Sequence, residues 1–177
     1  MSIRLNHNII LIGFMGSGKT SVGERLAERL SYQFQDTDQL LEKLAGDTIS
    51  HIFQVRGEEY FRSLESKLLL ELKGSLNHCV LSTGGGLPLR EQNAKLLREL
   101  GFVVYLKASK ETTVKRLQGD RTRPLLSGGD LNERFDRLLA LRSPLYEKAA
   151  HMEVVTDGRS FDEIMNYIME AYLKLIR

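Results

Sequence analysis

The sequence predicts an α/β fold, a parallel β-sheet covered by helices on both faces. Three observations carry that prediction. Short apolar runs alternate with longer amphipathic stretches along the whole chain, as strand–helix–strand units require. A glycine-rich segment, Gly13-Phe14-Met15-Gly16-Ser17-Gly18-Lys19-Thr20, joins the first apolar run to the first amphipathic stretch. The length, 177 residues, suits one domain that buries its own core without disulfides or a structural metal.

The elements follow in order. Residues 8–12 (Asn8-Ile9-Ile10-Leu11-Ile12) form an apolar run of strand length, and residues 19–30 carry Val22, Leu26 and Leu30 at helical spacing. A short strand at 33–36 ends on Asp36, and three helical stretches follow at 37–45, 48–55 and 57–73. The strand at 79–82 runs into Gly84-Gly85-Gly86, after which 89–100 reads as a helix and 102–106 as a strand. Residues 110–118 read as a helix, 118–130 as a glycine-flanked loop with a basic centre, and 131–149 as a long amphipathic stretch. Pro144 lies inside that stretch and predicts a kink or a break. A strand at 152–155 and a helix at 161–175 close the pattern. In such sheets ligands lie beyond the carboxyl ends of the strands, so the residues after each apolar run are the first candidates for function.

Composition excludes several classes. The chain is 42% hydrophobic and 27% charged, ordinary for a globular protein, which argues against disorder or a disulfide scaffold. Its 25 basic and 23 acidic residues leave a net charge of +2, too mild for a nucleic-acid or anionic-membrane surface. No apolar stretch is long enough to span a membrane, and the first residues carry no signal-peptide pattern, so a cytoplasmic location is expected. The single cysteine, Cys79, sits in the apolar run Cys79-Val80-Leu81 and reads as a small buried hydrophobe.

Gly13 to Thr20 matches G-x-x-x-x-G-K-[ST] in full, between a strand and a helix. Gly13, Gly16 and Gly18 permit backbone angles that aim main-chain N–H groups at phosphate oxygens, and the helix N-terminus adds partial positive charge. Lys19 suits the β- and γ-phosphates, and the Thr20 hydroxyl suits Mg²⁺. The motif specifies binding of a nucleoside triphosphate and leaves the fate of the phosphate open. The obvious strand for a second metal carboxylate, 79–82, ends in glycines instead. Asp36-Thr37-Asp38 is the alternative source. In an extended segment both carboxylates would share one side, Asp36 toward Mg²⁺ and Asp38 toward an acceptor hydroxyl. The same aspartates also suit plain helix capping.

Gly84-Gly85-Gly86 allows close approach of backbone to a ligand, or simply a tight turn. Arg62 has Glu65 three residues on, a spacing that can orient a guanidinium. Arg142 precedes Ser143-Pro144-Leu145-Tyr146. Two arginines on one site would grip a carboxylate, but their spacing does not place them together. Arg121 and Arg123, hard against Pro124 and Leu125 in the 118–130 loop, suit a closing lid that neutralises charge on a transferring phosphoryl group.

Taken together, Gly13–Thr20, Asp36-x-Asp38, the stretch ending at Arg62, Gly84-Gly85-Gly86, Arg123-Pro124-Leu125-Leu126 and Arg142-x-Pro144-Leu145-Tyr146 resemble the shikimate kinase family over nearly the whole chain. The resemblance implies a nucleoside monophosphate kinase-like phosphate-loop fold: a five-stranded parallel sheet, a substrate-binding helical region at about 37–65 and a mobile lid at about 118–130 within one kinase domain, 1–177. It implies ATP-dependent phosphorylation of the 3-hydroxyl of shikimate with Mg²⁺, and a monomer. By position, Gly16, Ser17, Gly18, Lys19, Thr20 and Ser21 would wrap the ATP phosphates, with Arg116 and Arg159 on the adenine side. Thr20 and Asp36 would serve the metal. Asp38, Arg62, Gly84, Gly85, Gly86 and Arg142 would hold shikimate, and Lys19, Asp38 and Arg123 would be catalytic. Two rival readings are a kinase for another hydroxylated carboxylate, such as gluconate, and a catalytically silent nucleotide-binding module.

Overall fold

The computed structural model describes residues 7–117 and 131–176. Five strands, β1 (Asn8–Ile12), β2 (Gln33–Asp36), β3 (Cys79–Ser82), β4 (Phe102–Lys107) and β5 (Met152–Val155), form one sheet in the order β2-β3-β1-β4-β5. Every pairing is parallel. Among the described residues the helices are α1 (Lys19–Leu30), α2 (Thr37–Ala45), α3 (Ile49–Leu72), α4 (Glu91–Leu100), α5 (Lys110–Leu117), α6 (Leu131–Ala149) and, after the last strand, α7 (Phe161–Ile176). From β1 the chain builds the sheet first to one side, through β2 and β3, and then to the other, through β4 and β5. The carboxyl end of β1 is therefore the switch point where such sheets open a ligand crevice.

Side-chain alternation along the central strands feeds two cores. Ile10 and Ile12 of β1, with Leu81, Val103 and Tyr105, pack beneath α3, α4 and α6 against Leu68, Leu69, Leu97 and Phe135. Ile9 and Leu11, with Val80, Val104 and Leu106, face the other way onto Val22, Leu26, Ile164 and Ile168 of α1 and α7. These central-strand side chains are almost fully buried. Each such aliphatic side chain stabilises the fold by about 1.5–3 kcal/mol relative to exposure. Buried Asn8 ties the strand ends together: Nδ2 donates to Leu76 O at 3.0 Å and Leu100 O at 2.9 Å, while Oδ1 accepts from Cys79 N at 3.1 Å. Cys79 is buried, and burial pushes its thiol up to about 11, which leaves it inert.

The local departures from expectation have physical causes. The stretches predicted at 48–55 and 57–73 run as one helix, α3, kinked at Gly57 (φ 82°, ψ 171°), a conformation open to glycine. The helix predicted from residue 89 begins at Glu91. Pro88 sits in a short 3₁₀ turn, Leu87–Leu89, and Arg90 is extended (φ −80°, ψ 129°), so the helix restarts beyond it. Pro144 neither breaks α6 nor ends it. It lies on the exposed side of the helix, where water can satisfy the carbonyl that lacks its N–H partner. Among the described residues no helix is long and apolar enough to cross a membrane.

Candidate active site

At the end of β1 the chain turns into a loop that only glycine can make at its first position. Gly13 has φ 149°, and a Cβ there would stand 2.5 Å from Leu106 O. Gly16 and Gly18 are also at positive φ (74° and 96°), and Gly18 opens α1 with no side-chain cap. The first-turn N–H groups of α1 thus face an anion without competition from a capping side chain. Lys19 folds back over the loop, its Nζ donating to Gly13 O and Phe14 O at 2.9 Å each. Ser17 is buried, and its hydroxyl has no partner among the described residues. This cradle opens into a cleft of about 740 Å³ whose walls include Gly16 to Ser21.

One end of the cleft reaches Asp36, Asp38, Ser82, Thr83, Gly84 and Gly85. The two aspartates are not neighbours on an extended segment, as the sequence suggested. Asp36 ends β2 and caps α2, its Oδ1 accepting from Asp38 N at 2.9 Å and Gln39 N at 3.4 Å. Asp38 is already in the first turn of α2. Both still line the cleft, so capping and cleft-lining are combined in Asp36 rather than exclusive.

The triple glycine is where distant side chains meet. A Cβ on Gly84 would lie 2.6 Å from Asp38 Oδ1, and one on Gly86 would lie 2.2 Å from Arg62 Nη1. A Cβ on Gly85 would lie 3.8 Å from Arg142 Nη1. Asp38 and Arg62 leave no room for a side chain at Gly84 and Gly86, Arg142 reaches contact distance of Gly85, and the two arginines, whose spacing did not show it, converge on one turn. Thr37 Oγ1 accepts from Gly84 N at 2.9 Å, and buried Tyr146 donates its hydroxyl to Gly85 O at 2.6 Å. Burial pushes the Tyr146 hydroxyl up to about 12, so it stays a donor. Arg62 Nη1 donates to buried Glu65 at 2.8 Å and Nη2 to Glu58 at 3.2 Å. Burial lifts the Glu65 carboxyl to about 7 against the pull of Arg62, and the charge of Asp38 pushes the same way. The guanidinium of Arg142 lies 5.6 Å from the centre of the Phe14 ring.

The opposite end of the cleft is lined by Arg116, Leu117, Thr156, Arg159, Ser160 and Phe161. Arg116 Nη1 donates to Gly16 O at 3.0 Å, and the Arg159 guanidinium lies over Tyr167 at 4.7 Å. The residues present suit Mg²⁺. Thr20 and Asp36 offer hard oxygen donors beside the phosphate cradle. Among the described residues no group of three or more His, Cys, Asp or Glu could hold a metal ion by itself.

A sequence model of the shikimate kinase family matches residues 15–173. The chain belongs to the shikimate kinase family. It is 47% identical over 165 residues to the shikimate kinase of Symbiobacterium thermophilum, covering 92% of this chain and 94% of that one. It is 40% identical over 168 residues to the enzyme of Caldanaerobacter subterraneus, covering 95% and 97%. The structure of the Acinetobacter baumannii shikimate kinase in complex with shikimate matches with a TM-score of 0.89 at 38% identity, covering 97% of this chain and 94% of that one. A gluconokinase from Sinorhizobium meliloti matches with a TM-score of 0.60 at 20% identity, which marks a shared fold.

In this shikimate kinase family member the cleft gathers Gly16–Ser21, Asp36, Asp38, Gly84, Gly85, Arg116 and Arg159, with Arg62, Arg142 and Gly86 adjoining its acceptor end. Arg121 and Arg123, and the lid expected at 118–130, lie outside the described residues. Sequence reasoning gave no role to Thr37 or Tyr146. Tyr146 follows Arg142 by one helical turn, a spacing that could have drawn notice. Thr37 carried no local signal beyond sitting between two aspartates.

Proposed function

We propose that the chain transfers the γ-phosphoryl group of ATP directly to the 3-hydroxyl of shikimate. The products are ADP and shikimate 3-phosphate, in the route to chorismate and the aromatic amino acids. Family membership supports the ATP-dependent phosphorylation of shikimate. The observation that carries the assignment of residues is the meeting of Asp38, Arg62 and Arg142 on the triple-glycine turn at one end of a phosphate-loop cleft. Shikimate bears one carboxylate and three hydroxyls. Arg62 and Arg142 are suited to grip the carboxylate through charge-assisted hydrogen bonds, while Asp38 accepts from the hydroxyl that reacts. Glu65 and Glu58 hold the Arg62 fork, and Tyr146 and Thr37 hold the glycine turn, so the acceptor meets groups already oriented.

At the donor end, Gly16, Ser17, Gly18, Thr20 and Ser21 cradle the phosphates, and Lys19 neutralises charge on the phosphoryl group as it moves. Thr20 and Asp36 would hold Mg²⁺, which would supply charge neutralisation on the phosphates when bound. Arg116 and Arg159 flank the nucleoside, and Arg123 acts from the lid. A loose phosphoryl-transfer transition state asks mainly for alignment and neutralised charge, which fits a site that sets Lys19 and several arginines around a phosphate loop. We assign these roles within a single kinase domain that works as a cytoplasmic monomer, its acceptor region near 37–65 and its lid near 118–130.

The test is ADP release in a coupled assay with shikimate, gluconate and AMP offered separately. Release only with shikimate is expected, and release only with gluconate or AMP overturns the reading. Asp38→Asn should lose most turnover while binding ATP as the parent does. Near-normal turnover in that variant would remove Asp38 from the chemistry.

A further inference from the structure

The nucleoside end of the cleft is bounded by two elements that leave different strands. α5 follows β4 and carries Arg116. Its Thr113 and Leu117 pack 3.0 and 3.2 Å from where a Gly16 Cβ would stand. The turn after β5 carries Arg159, with Gly158 at φ 67°. Its first residue, Thr156, is tied back to β4: its N and Oγ1 donate to Lys107 O at 2.8 and 3.3 Å. Both arginines line the cleft.

One carboxylate joins the two elements. Asp157 accepts from Ser109 N through both oxygens at 3.0 Å, from Ser109 Oγ at 2.6 Å, and from the Thr112 hydroxyl. Ser109 is the residue that opens α5. Its carbonyl accepts from Thr113 N at 2.9 Å, and its hydroxyl accepts from Thr112 N at 3.2 Å. The Asp157 carboxylate also sits at the N-terminal end of α5, where negative charge is favoured. Burial opposes its ionisation, but the donors of Ser109 and Thr112 outweigh that and hold it below the ordinary carboxylate value. It is therefore charged at neutral pH. Asp157 is not part of the cleft wall, so whatever it does for a ligand it does through its neighbours.

We propose that Asp157 is a positioning residue of the donor-nucleotide site, pinning the first turn of α5 to the turn after β5 so that Arg116 and Arg159 keep a fixed separation at the nucleoside end. This rests on the reading of the phosphate-loop cleft as a nucleoside triphosphate site. Without the pin, α5 keeps its helical propensity and its packing on Gly16. What it loses is the link that sets its N-terminal end, about two turns from Arg116. A freed helix samples more orientations, and the nucleotide must order it on binding, so affinity for the nucleoside falls. The phosphate cradle, built from Gly13 to Thr20 and closed by Lys19, meets α5 through Thr113, Arg116 and Leu117, beyond the end that the link holds.

The experiment compares ADP with tripolyphosphate, which reaches the phosphate cradle but has no nucleoside. Binding of each is measured by calorimetry to the full chain and to Asp157→Ala, Asp157→Asn, Ser109→Ala, Arg116→Ala and the Asp157→Ala/Arg116→Ala double variant. Asp157→Ala should weaken ADP by about tenfold, the order reached by residues that modulate a site without touching the ligand. Tripolyphosphate affinity and the KM for shikimate at saturating ATP should stay within about twofold. Ser109→Ala, which keeps the carboxylate and the backbone bond, should shift ADP in the same direction by less. In the Arg116→Ala background the effect of Asp157→Ala should shrink, because the two act through one contact chain.

Equal weakening of ADP and tripolyphosphate would reduce Asp157 to a general stabiliser, and unchanged ADP affinity would refute the proposal, as would strict additivity with Arg116→Ala. If Asp157→Ala does not fold, Asp157→Asn and Ser109→Ala carry the same comparison. The parent protein separates the two readings. ADP binding without shikimate-dependent turnover would sink the acceptor assignment and leave the role of Asp157 standing, whereas no ADP binding would sink both.

Discussion

Gly86→Ala is a clean probe of the acceptor end. Gly86 has ordinary right-handed helical angles (φ −86°, ψ −16°), so its backbone accepts alanine without strain. The added methyl meets one thing, the Arg62 guanidinium, at 2.2, 2.4 and 2.5 Å from Nη1, Nη2 and Cζ. The guanidinium must retreat by about 1 Å or more to reach ordinary contact. It has little room, because its side chain is only 14% exposed and Nη1 already donates to Glu65 at 2.8 Å. A retreat of that size breaks the bidentate grip expected on a substrate carboxylate, worth about 1.5–3 kcal/mol for a charged hydrogen bond. The expected loss is about ten- to hundredfold in kcat/KM for shikimate. The KM for ATP should stay within about twofold, since the nearest atoms to the added methyl belong to Arg62 and not to the phosphate loop. Steady-state kinetics with each substrate varied in turn measures both, and a thermal melt confirms that the variant is folded. A folded Gly86→Ala enzyme with shikimate kcat/KM within about twofold of the parent would refute the contact between this glycine and Arg62 as a determinant of substrate binding.

Other outcomes follow from the same geometry. Glu65 has its folded-state value raised from 4.5 to about 7. Its contribution to stability is present at low pH and is lost as pH rises through 7, because the folded state then gives up a proton it held more tightly than the unfolded chain did. Glu65→Gln should flatten the dependence of melting temperature on pH between about 5 and 8 and raise the KM for shikimate, and a pH profile identical to the parent's would contradict it. Tyr146→Phe removes the donor to Gly85 O and leaves a part-buried carbonyl without that partner, so stability in urea should fall by about 1 kcal/mol and the KM for shikimate should rise. Gly13→Ala would place its Cβ against the Leu106 carbonyl, a backbone atom that cannot yield, at a φ that alanine avoids. Loss of ATP binding, read by calorimetry, is expected even where the protein still folds, and unchanged affinity would count against the loop geometry.

Local periodicity made most of the fold legible. All five strands lie close to where the sequence placed them: β1, β3 and β4 are apolar because a strand buried on both faces has to be, while the edge strands β2 and β5 are only partly buried and carry polar residues. The phosphate loop was legible for a related reason: its glycines, lysine and threonine act within eight consecutive residues, so spacing alone encodes the geometry. Where sequence reasoning strained was at junctions. The two aspartates were assigned to one extended face, but β2 stops at Asp36 and that residue's own carboxylate starts α2. Of the kink or break expected at Pro144, the break did not occur: α6 runs through it, since its exposed side lets water replace the missing hydrogen bond.

By itself, then, the sequence determined the α/β class, the phosphate loop and the set of residue types suited to a triphosphate and a carboxylate. Tertiary structure decided which of those residues share a site. Arg62 and Arg142 reach the same glycine turn only because the crossovers between strands bring α3 and α6 to the end of β3. Thr37, Tyr146 and Asp157 gain meaning the same way, through partners that lie 47 to 61 residues distant along the chain. Spacing along a chain reports only what lies within a helical turn or a strand's pleat. Convergence of distant side chains depends on the order in which the strands assemble, and here that order places an acceptor pocket beside the phosphate loop.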